Sequence, residues 1–571
     1  MVGVNINKHS VKYLILYFSI TSALELLAYG LGGIFSIAAA YIWLFSGLFW
    51  LGYFLVYAGM KLIEDLKHKK YYIFCFFLIL IVYLFSFIGN ISFSDINPDS
   101  AQQVAAGLNS YYQPDFNYTG TAFLDYPNRQ YIIAAFPAFL FGRSVWSLHA
   151  GFGILFLIGL SVFFINLREW LIRLKIKEEY ALLPCFALIA FPFIVEYYMN
   201  FEQAIIPVSL TLLGIGLSLQ VIMDNDLISF LAISWTGCLM ADSYTPTLAS
   251  MGLITVFLVF YALKLNTQNN DSQKNPVFIA SLGCAANIIS FFLANYFSGI
   301  SDKITELRSE ISPIKAAICA WKDFFTDANV RFLGIFGGIV IVYLLLSLTF
   351  RLKIHDFFIS MWVLGVVFFS DYMIGYTAYD KAWVMQRNMI IIPVIVFFIF
   401  NSIMVFFKKH SISIHKPIQI IIILFFLSAG MFNSFQPHRS FKYFSYVQPM
   451  KYAIDYIEES LKEYDISPAD DFNLIIYTDN ILQSNISDYA SFFFPNAETF
   501  SNSDNIYDID PDTTKPCFFF AEDLRLQNLI PDSYDSKSFI RLKNAPMSSQ
   551  TYRNLRYDSE ITWYRKVLIP D

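Results

Sequence analysis

Residues 71–89, YYIFCFFLILIVYLFSFIG, form an apolar run long enough to cross a bilayer. The chain repeats that device along most of its length. About thirteen candidate spans can be placed near residues 12–32, 35–60, 71–91, 146–165, 180–199, 204–222, 227–243, 247–264, 276–297, 332–350, 357–375, 388–407 and 417–434. Short breaks around residues 33, 201 and 245 leave room for a merged or re-entrant segment. Backbone polar groups inside lipid must be satisfied within their own segment, so runs of this kind can only be helices. Hydrophobic residues make up 56% of the 571 and charged ones 15%, which excludes a soluble globular chain. The fold class is an α-helical polytopic membrane protein.

Charge orients the bundle. With the N-terminus on the cytoplasmic side, the inside loops are KLIEDLKHKK (61–70), LREWLIRLKIK (167–177), KLNTQNNDSQK (264–274), RLK (351–353) and KKHSISIHK (408–416). All are compact and rich in Lys and Arg, as the positive-inside rule requires. The first run has no defensible cleavage site and reads as a retained anchor. The outer side then receives residues 95–143, the 298–331 and 371–387 loops, and everything after Ser434. Within that tail a helical stretch, YVQPMKYAIDYIEESLKEY, precedes two strand-like runs, NLIIYTD (473–479) and CFFFAED (517–523). The alternation implies a small α/β domain over residues 435–571, outside the membrane, without fixing its strand order. Residues 1–70 supply two N-terminal spans and 71–434 the main membrane unit.

The polar interruption at 95–143, within the first outer loop (92–145), is the richest in chemistry. It places Asp95, Asp99, Asp115 and Asp125 at a membrane surface. Asp95 and Asp99 share a face if that segment is helical, and Pro98 suits a helix's first turn, making Asp99 a first-turn carboxylate. Residues 99–142 are expected to form short helices along the interface, because QQVAAGL and YIIAAFPAFLF are apolar but too short to span. Other outer span ends carry Glu202, Asp242 with Tyr244, and a loop holding Asp371, Asp380, Lys381 and Arg387. Singly, each reads equally well as a solvated rim residue. Recurring on several spans, they read as the lining of a cavity.

Six scattered cysteines have no metal or disulfide spacing. His149 reads as a packed residue, and the patterns at 90–92, 117–119 and 485–487 are glycosylation acceptors only in a secretory system. No Walker motif, Ser-His-Asp arrangement or basic aromatic surface for nucleic acid is present.

The runs PDSAQQVAAGL and LDYPNRQYIIAAFPAFLFGRSVWSLHAGFGILFLIGLSVFFI resemble the GT-C membrane glycosyltransferases, in particular the branch of protein mannosyltransferases and lipid A aminoarabinose transferases. That branch opens its first outer loop with an Asp, follows with a carboxylate before proline, and ends a short helix in a Phe-Gly pair. Here those positions are Asp99, Asp125 with Pro127, and Phe141 with Gly142. FPFIVEYYMNFEQ matches an outer helix end at Glu202, GCLMADSYTPTLASMG a segment usually reading LTKY or LTKG, and QRNMIIIPVIVFF a late span opening at Arg387. The likeness covers residues 71–407 and is one of layout. Ser100 stands in place of a frequent Glu, Asn128 in place of a second Pro, and Asp242 or Ser243 in place of a usual Lys.

The resemblance implies an inner-membrane enzyme that takes sugar from a polyprenyl-phosphate donor to a lipid, glycan or protein acceptor of the cell envelope. Asp99 is implied as base, with Asp95 behind it. Arg387 with Arg129 is implied as partner to the leaving phosphate, while Asp125, Glu202, Asp242, Tyr244 and Lys381 line the substrates. A divalent ion, Mg or Mn, would find oxygen ligands in Asp95, Asp99, Asp125 and Glu202, though no spacing demands it. A lipid-linked saccharide transporter or flippase competes, but should show internal repeats and polar groups at mid-membrane. An O-antigen polymerase or ligase would share the substrates and carry its largest outer loop late.

Overall fold

The computed structural model describes, with short gaps, residues 34–81, 101–111, 129–190, 205–297, 390–428, 447–477, 490–501, 514–521, 540–543 and 560–569. Among the described residues the apolar or membrane-proximal helices include α1 (Ile34–Lys67), α2 (Tyr72–Ile81), α3 (Arg129–Phe141), α4 (Val145–Arg173), α5 (Leu182–Ala190), α6 (Ile205–Asp224), α7 (Leu227–Ser243), α8 (Thr245–Thr267), α9 (Asp271–Phe297) and α10 (Ile392–Lys409). Segments within α1 (Leu44–Lys67) and α4 (Trp146–Arg173), together with the whole of α6, are long and apolar enough to cross a membrane. The spans expected at 12–32, 332–350 and 357–375 lie outside the described residues, as does the break at 201.

Helix α4 packs along α6, and small residues set the distance. A Cβ on Gly159 would sit 2.5 Å from the Ser209 carbonyl oxygen, and one on Gly216 would meet the Phe163 backbone at 3.1 Å. Without a hydrophobic force between helices in lipid, such close backbone approach supplies the attraction. The pairs 159 with 209 and 163 with 216 advance together, so α4 and α6 run parallel. Their C-termini meet accordingly: Arg173 donates to the Met223 carbonyl and pairs with Asp224 at 3.0 Å.

The basic runs at 61–70 and 167–177 are not wholly loops. Helix α1 continues to Lys67 and α4 to Arg173, so much of each run is helix end. There Arg168 is buried and paired with Asp65 and Glu169, while Lys70 holds Glu178 at 3.1 Å. A charge that cannot reach water needs such partners. Helix α1 is thereby tied to the main bundle, and its Trp50 and Phe54 add ring contacts to Trp235 of α7.

In the tail, α11 (Val447–Glu463) precedes a five-stranded sheet of β1 (Asn473–Tyr477), β2 (Glu498–Ser501), β3 (Cys517–Ala521), β4 (Ile540–Lys543) and β5 (Glu560–Leu568). The order is β2-β1-β3-β5-β4. Strands β1, β2 and β3 are parallel, with Asn473 opposite Glu498 and Cys517, whereas β5 runs antiparallel to β3 and β4. The two strand-like runs seen in the sequence are therefore neighbours. Both faces of β1 and β3 are buried, which explains their continuous apolar lettering. Tyr456 and Tyr464, on and just after α11, meet Phe520 and Phe518 edge to face. Arg565 of β5 reaches back to Glu463 at 2.8 Å.

Candidate functional site

The described helical residues between α2 and α3 pack into the core of the bundle. Residues 101, 104–108 and 111 are helical, and Ala101, Val104, Ala105 and Leu108 are buried at helical spacing. Tyr111 continues that face and stacks on Phe139 of α3, ring centroids 4.6 Å apart. Burial pushes its phenol pKa upward, so it stays protonated at neutral pH.

Helix α3 has 13 residues and so measures roughly 20 Å, short of the ~30 Å hydrocarbon core. It does not span; it packs. Ile133, Ala134, Ala135 and Ala138 are buried against α1, α4 and α7. The approach to α4 is close enough that a Cβ on Gly151 would lie 1.8 Å from the Ala134 carbonyl oxygen. A short helix after residue 99 is thus present as expected, and the described residues of the interval hold no spanning helix.

The corner from α3 to α4 is tightly specified. Gly142 adopts φ +83°, a conformation side chains disfavour, and so turns the chain at the end of α3. Ser144 caps α4: its hydroxyl accepts from the Ser147 amide at 3.1 Å, and the Ser147 hydroxyl accepts from the Ser144 amide at 3.0 Å. Ser147 also donates to the Gly142 carbonyl at 2.6 Å. Between these anchors stands Arg143, whose guanidinium donates to the Phe492 carbonyl of the tail at 2.6 Å.

Of the residues the sequence nominated, Arg129 opens α3 and Asp242 lies in the last turn of α7. The two helices pack on each other. Asp95, Asp99, Asp125, Glu202, Tyr244, Lys381 and Arg387 lie outside the described residues. Among the described residues no group of three or more His, Cys, Asp or Glu side chains is arranged to hold a metal. Sequence reasoning missed Arg143 and the SFFF run at 491–494. The signal for the corner was legible, in the serines three apart just after Phe141-Gly142; the partner far along the chain was not.

No family model and no curated protein matches the chain. Among solved structures it is similar to ArnT from Cupriavidus metallidurans bound to undecaprenyl phosphate. The identity is 12%, the match covers 86% of this chain and 97% of that one, and the TM-score is 0.40.

Proposed function

We propose that the protein is an integral-membrane glycosyltransferase that moves a sugar from a polyprenyl-phosphate donor to an envelope lipid, glycan or protein acceptor on the extracytoplasmic face. The observation that carries the reading is the packing of the first loop. The segment just after Asp99 buries Ala101, Val104 and Leu108, and α3 docks beside it. An acidic loop that only solvated the membrane rim would have no reason to anchor the segments that follow Asp99 and Asp125.

Asp99 takes the proton from the acceptor hydroxyl as that oxygen attacks the anomeric carbon. The bond from that carbon to the phosphate oxygen breaks with inversion, and polyprenyl phosphate leaves with the electron pair. Arg387, with Arg129, pairs with the phosphate through the parallel N–H bonds that a guanidinium fork presents. Asp125, Glu202, Asp242, Tyr244 and Lys381 border the sugar and acceptor. The tail, residues 435–571, is an extracytoplasmic domain over this face.

The test is transfer from a panel of undecaprenyl-phosphate sugars by purified protein in lipid. Asp99→Asn should lower turnover by about two to four decades while donor affinity holds, the usual worth of a general base. Arg387→Ala should weaken donor binding, and Arg387→Lys should restore it only in part. Loss of activity in Asp95→Asn with full activity in Asp99→Asn moves the base to Asp95. Full activity in both sinks the assignment and favours a transporter of lipid-linked saccharides.

A further inference from the structure

Helices α1, α4 and α10 finish at one end of the bundle. Tyr57 of α1 donates to Asn166 of α4 at 2.7 Å, and further along both helices Asp65 pairs with Arg168. Phe163 meets Phe397 edge to face and Trp170 donates to Asn401 at 3.0 Å, so α10 advances in the same sense as α4. Most charges at this end are neutralised within the chain: Arg168 by Asp65 and Glu169, Lys70 by Glu178, and Arg173 by Asp224. Lys67, Lys175, Lys177 and Lys408 are not. All are exposed, and none holds a carboxylate among the described residues. Against them stand the exposed Glu64 and the half-buried Glu179, so the surface is left cationic.

Lys175 is the informative one. Helix α4 closes on Leu174, with the Lys175 amide bonded to the Ile172 carbonyl and the Ile176 amide to the Leu171 carbonyl, both at 2.9 Å. That double closure needs a left-handed residue, and Lys175 supplies it at φ 56°. Glycine would fit there without the penalty of a Cβ. A cation that only offset the helix dipole would sit inside the last turn, as Arg173 does, and would need no left-handed backbone. Apolar side chains beside the lysines are exposed as well. Met60 and Ile63 lie on the face of α1 that Lys67 continues, and Ile172 is exposed in the last turn of α4. Exposed hydrocarbon that ends in a row of cations matches an amphiphile with an anionic head.

We propose that this end of the bundle is a binding surface for an acidic phospholipid. Lys67, Lys175, Lys177 and Lys408 draw its phosphate, while its chains lie along Met60, Ile63 and Ile172. The proposal does not depend on the transferase reading.

Native mass spectrometry of the full chain in detergent tests it, by titration with phosphatidylglycerol or with phosphatidylcholine of the same acyl chains. Wild type should bind phosphatidylglycerol more tightly. A lysine near a bilayer surface adds about fivefold in affinity for anionic lipid, so Lys67→Gln, Lys175→Gly and Lys177→Gln should each lose about that factor. Binding of phosphatidylcholine should not change, and the triple variant should lose most of the preference. Lys462→Gln, at an exposed lysine of the tail, is the control and should alter neither affinity. Lys175→Gly carries a second readout of opposite sign: its unfolding temperature should hold or rise, because the cap then has the residue it favours.

Equal affinity of wild type for the two lipids overturns the proposal. So does an equal loss in Lys462→Gln, since net charge alone would then set the preference. A lower unfolding temperature in Lys175→Gly overturns the reading of Lys175 as a residue kept for its charge. Glycerol phosphate competing as well as intact phosphatidylglycerol would make this a site for a free anion, and overturns the phospholipid as occupant.

Discussion

Arg168 of α4 and Asp65 of α1 form an ion pair in which both side chains are almost wholly buried, 3% and 6% exposed. Lys70 lies 3.6 Å from Asp65 and 3.1 Å from Glu178, and Glu169 takes the other face of Arg168 at 2.5 Å. The cluster joins α1, the turn after it, α4 and the short helix Glu178–Ala181. Residues 34–67, which precede the region of family resemblance, are thus locked to it where α1 and α4 end. Removing Arg168 leaves Asp65 buried with only the more distant Lys70, at 3.6 Å, to compensate it. Arg168→Leu should cost about 3–5 kcal/mol, and adding Asp65→Leu should recover part of that loss. Thermal unfolding in detergent measures both, and a double variant less stable than Arg168→Leu would contradict the account.

Helix contacts made through glycine give a sharper steric prediction. Gly151→Ala places a methyl group 1.8 Å from the backbone of α3, so the two helices must separate. Loss should reach several kcal/mol, in the range of severe overpacking. Gly52→Ala, where no atom lies within 4 Å, should be neutral or stabilising by up to about 1 kcal/mol. Equal unfolding temperatures for the two variants would argue that α3 does not dock as described.

Topology can be tested without any substrate. With the N-terminus inside and an odd number of spans, the tail is expected outside, on the side of the first loop, whose Arg143 touches it. A cysteine at position 535 (Asp535→Cys) should react with an impermeant thiol reagent added to intact cells. Protection there, with labelling only after lysis, would reverse the assignment.

The tail should also show a small pH dependence. Burial, helped by Asp455 and opposed by Lys462, pushes the Glu458 carboxyl above the usual carboxylate range. A folded pKa above the unfolded one means the folded chain holds this proton longer. The contribution is full below the ordinary carboxylate pKa and is lost as pH rises through the raised value. Glu458→Gln should therefore flatten the stability of the tail across that window. It should gain less than about 1 kcal/mol at neutral pH, since the group is half exposed and screened. A steeper profile in the variant would reverse the sign and defeat the argument.

Apolar period and length alone determined where α6, α7, α8 and α9 begin and end, to within a few residues for most of them, because a helix in lipid must satisfy its own backbone and its limits follow from composition. The same logic identified α3 as too short to cross. It also picked out β1 and β3, whose unbroken apolar lettering reflects burial on both faces. The basic runs were legible as charge but not as structure. Whether Arg168 faces water or Asp65 depends on a helix that arrives from more than a hundred positions away. The pairing of Arg143 with Phe492, the approach of Gly151 to Ala134 and the sheet order β2-β1-β3-β5-β4 were likewise invisible. Each is a contact between segments distant in sequence, and local pattern carries no information about which distant backbone comes near; only the packed structure decides that.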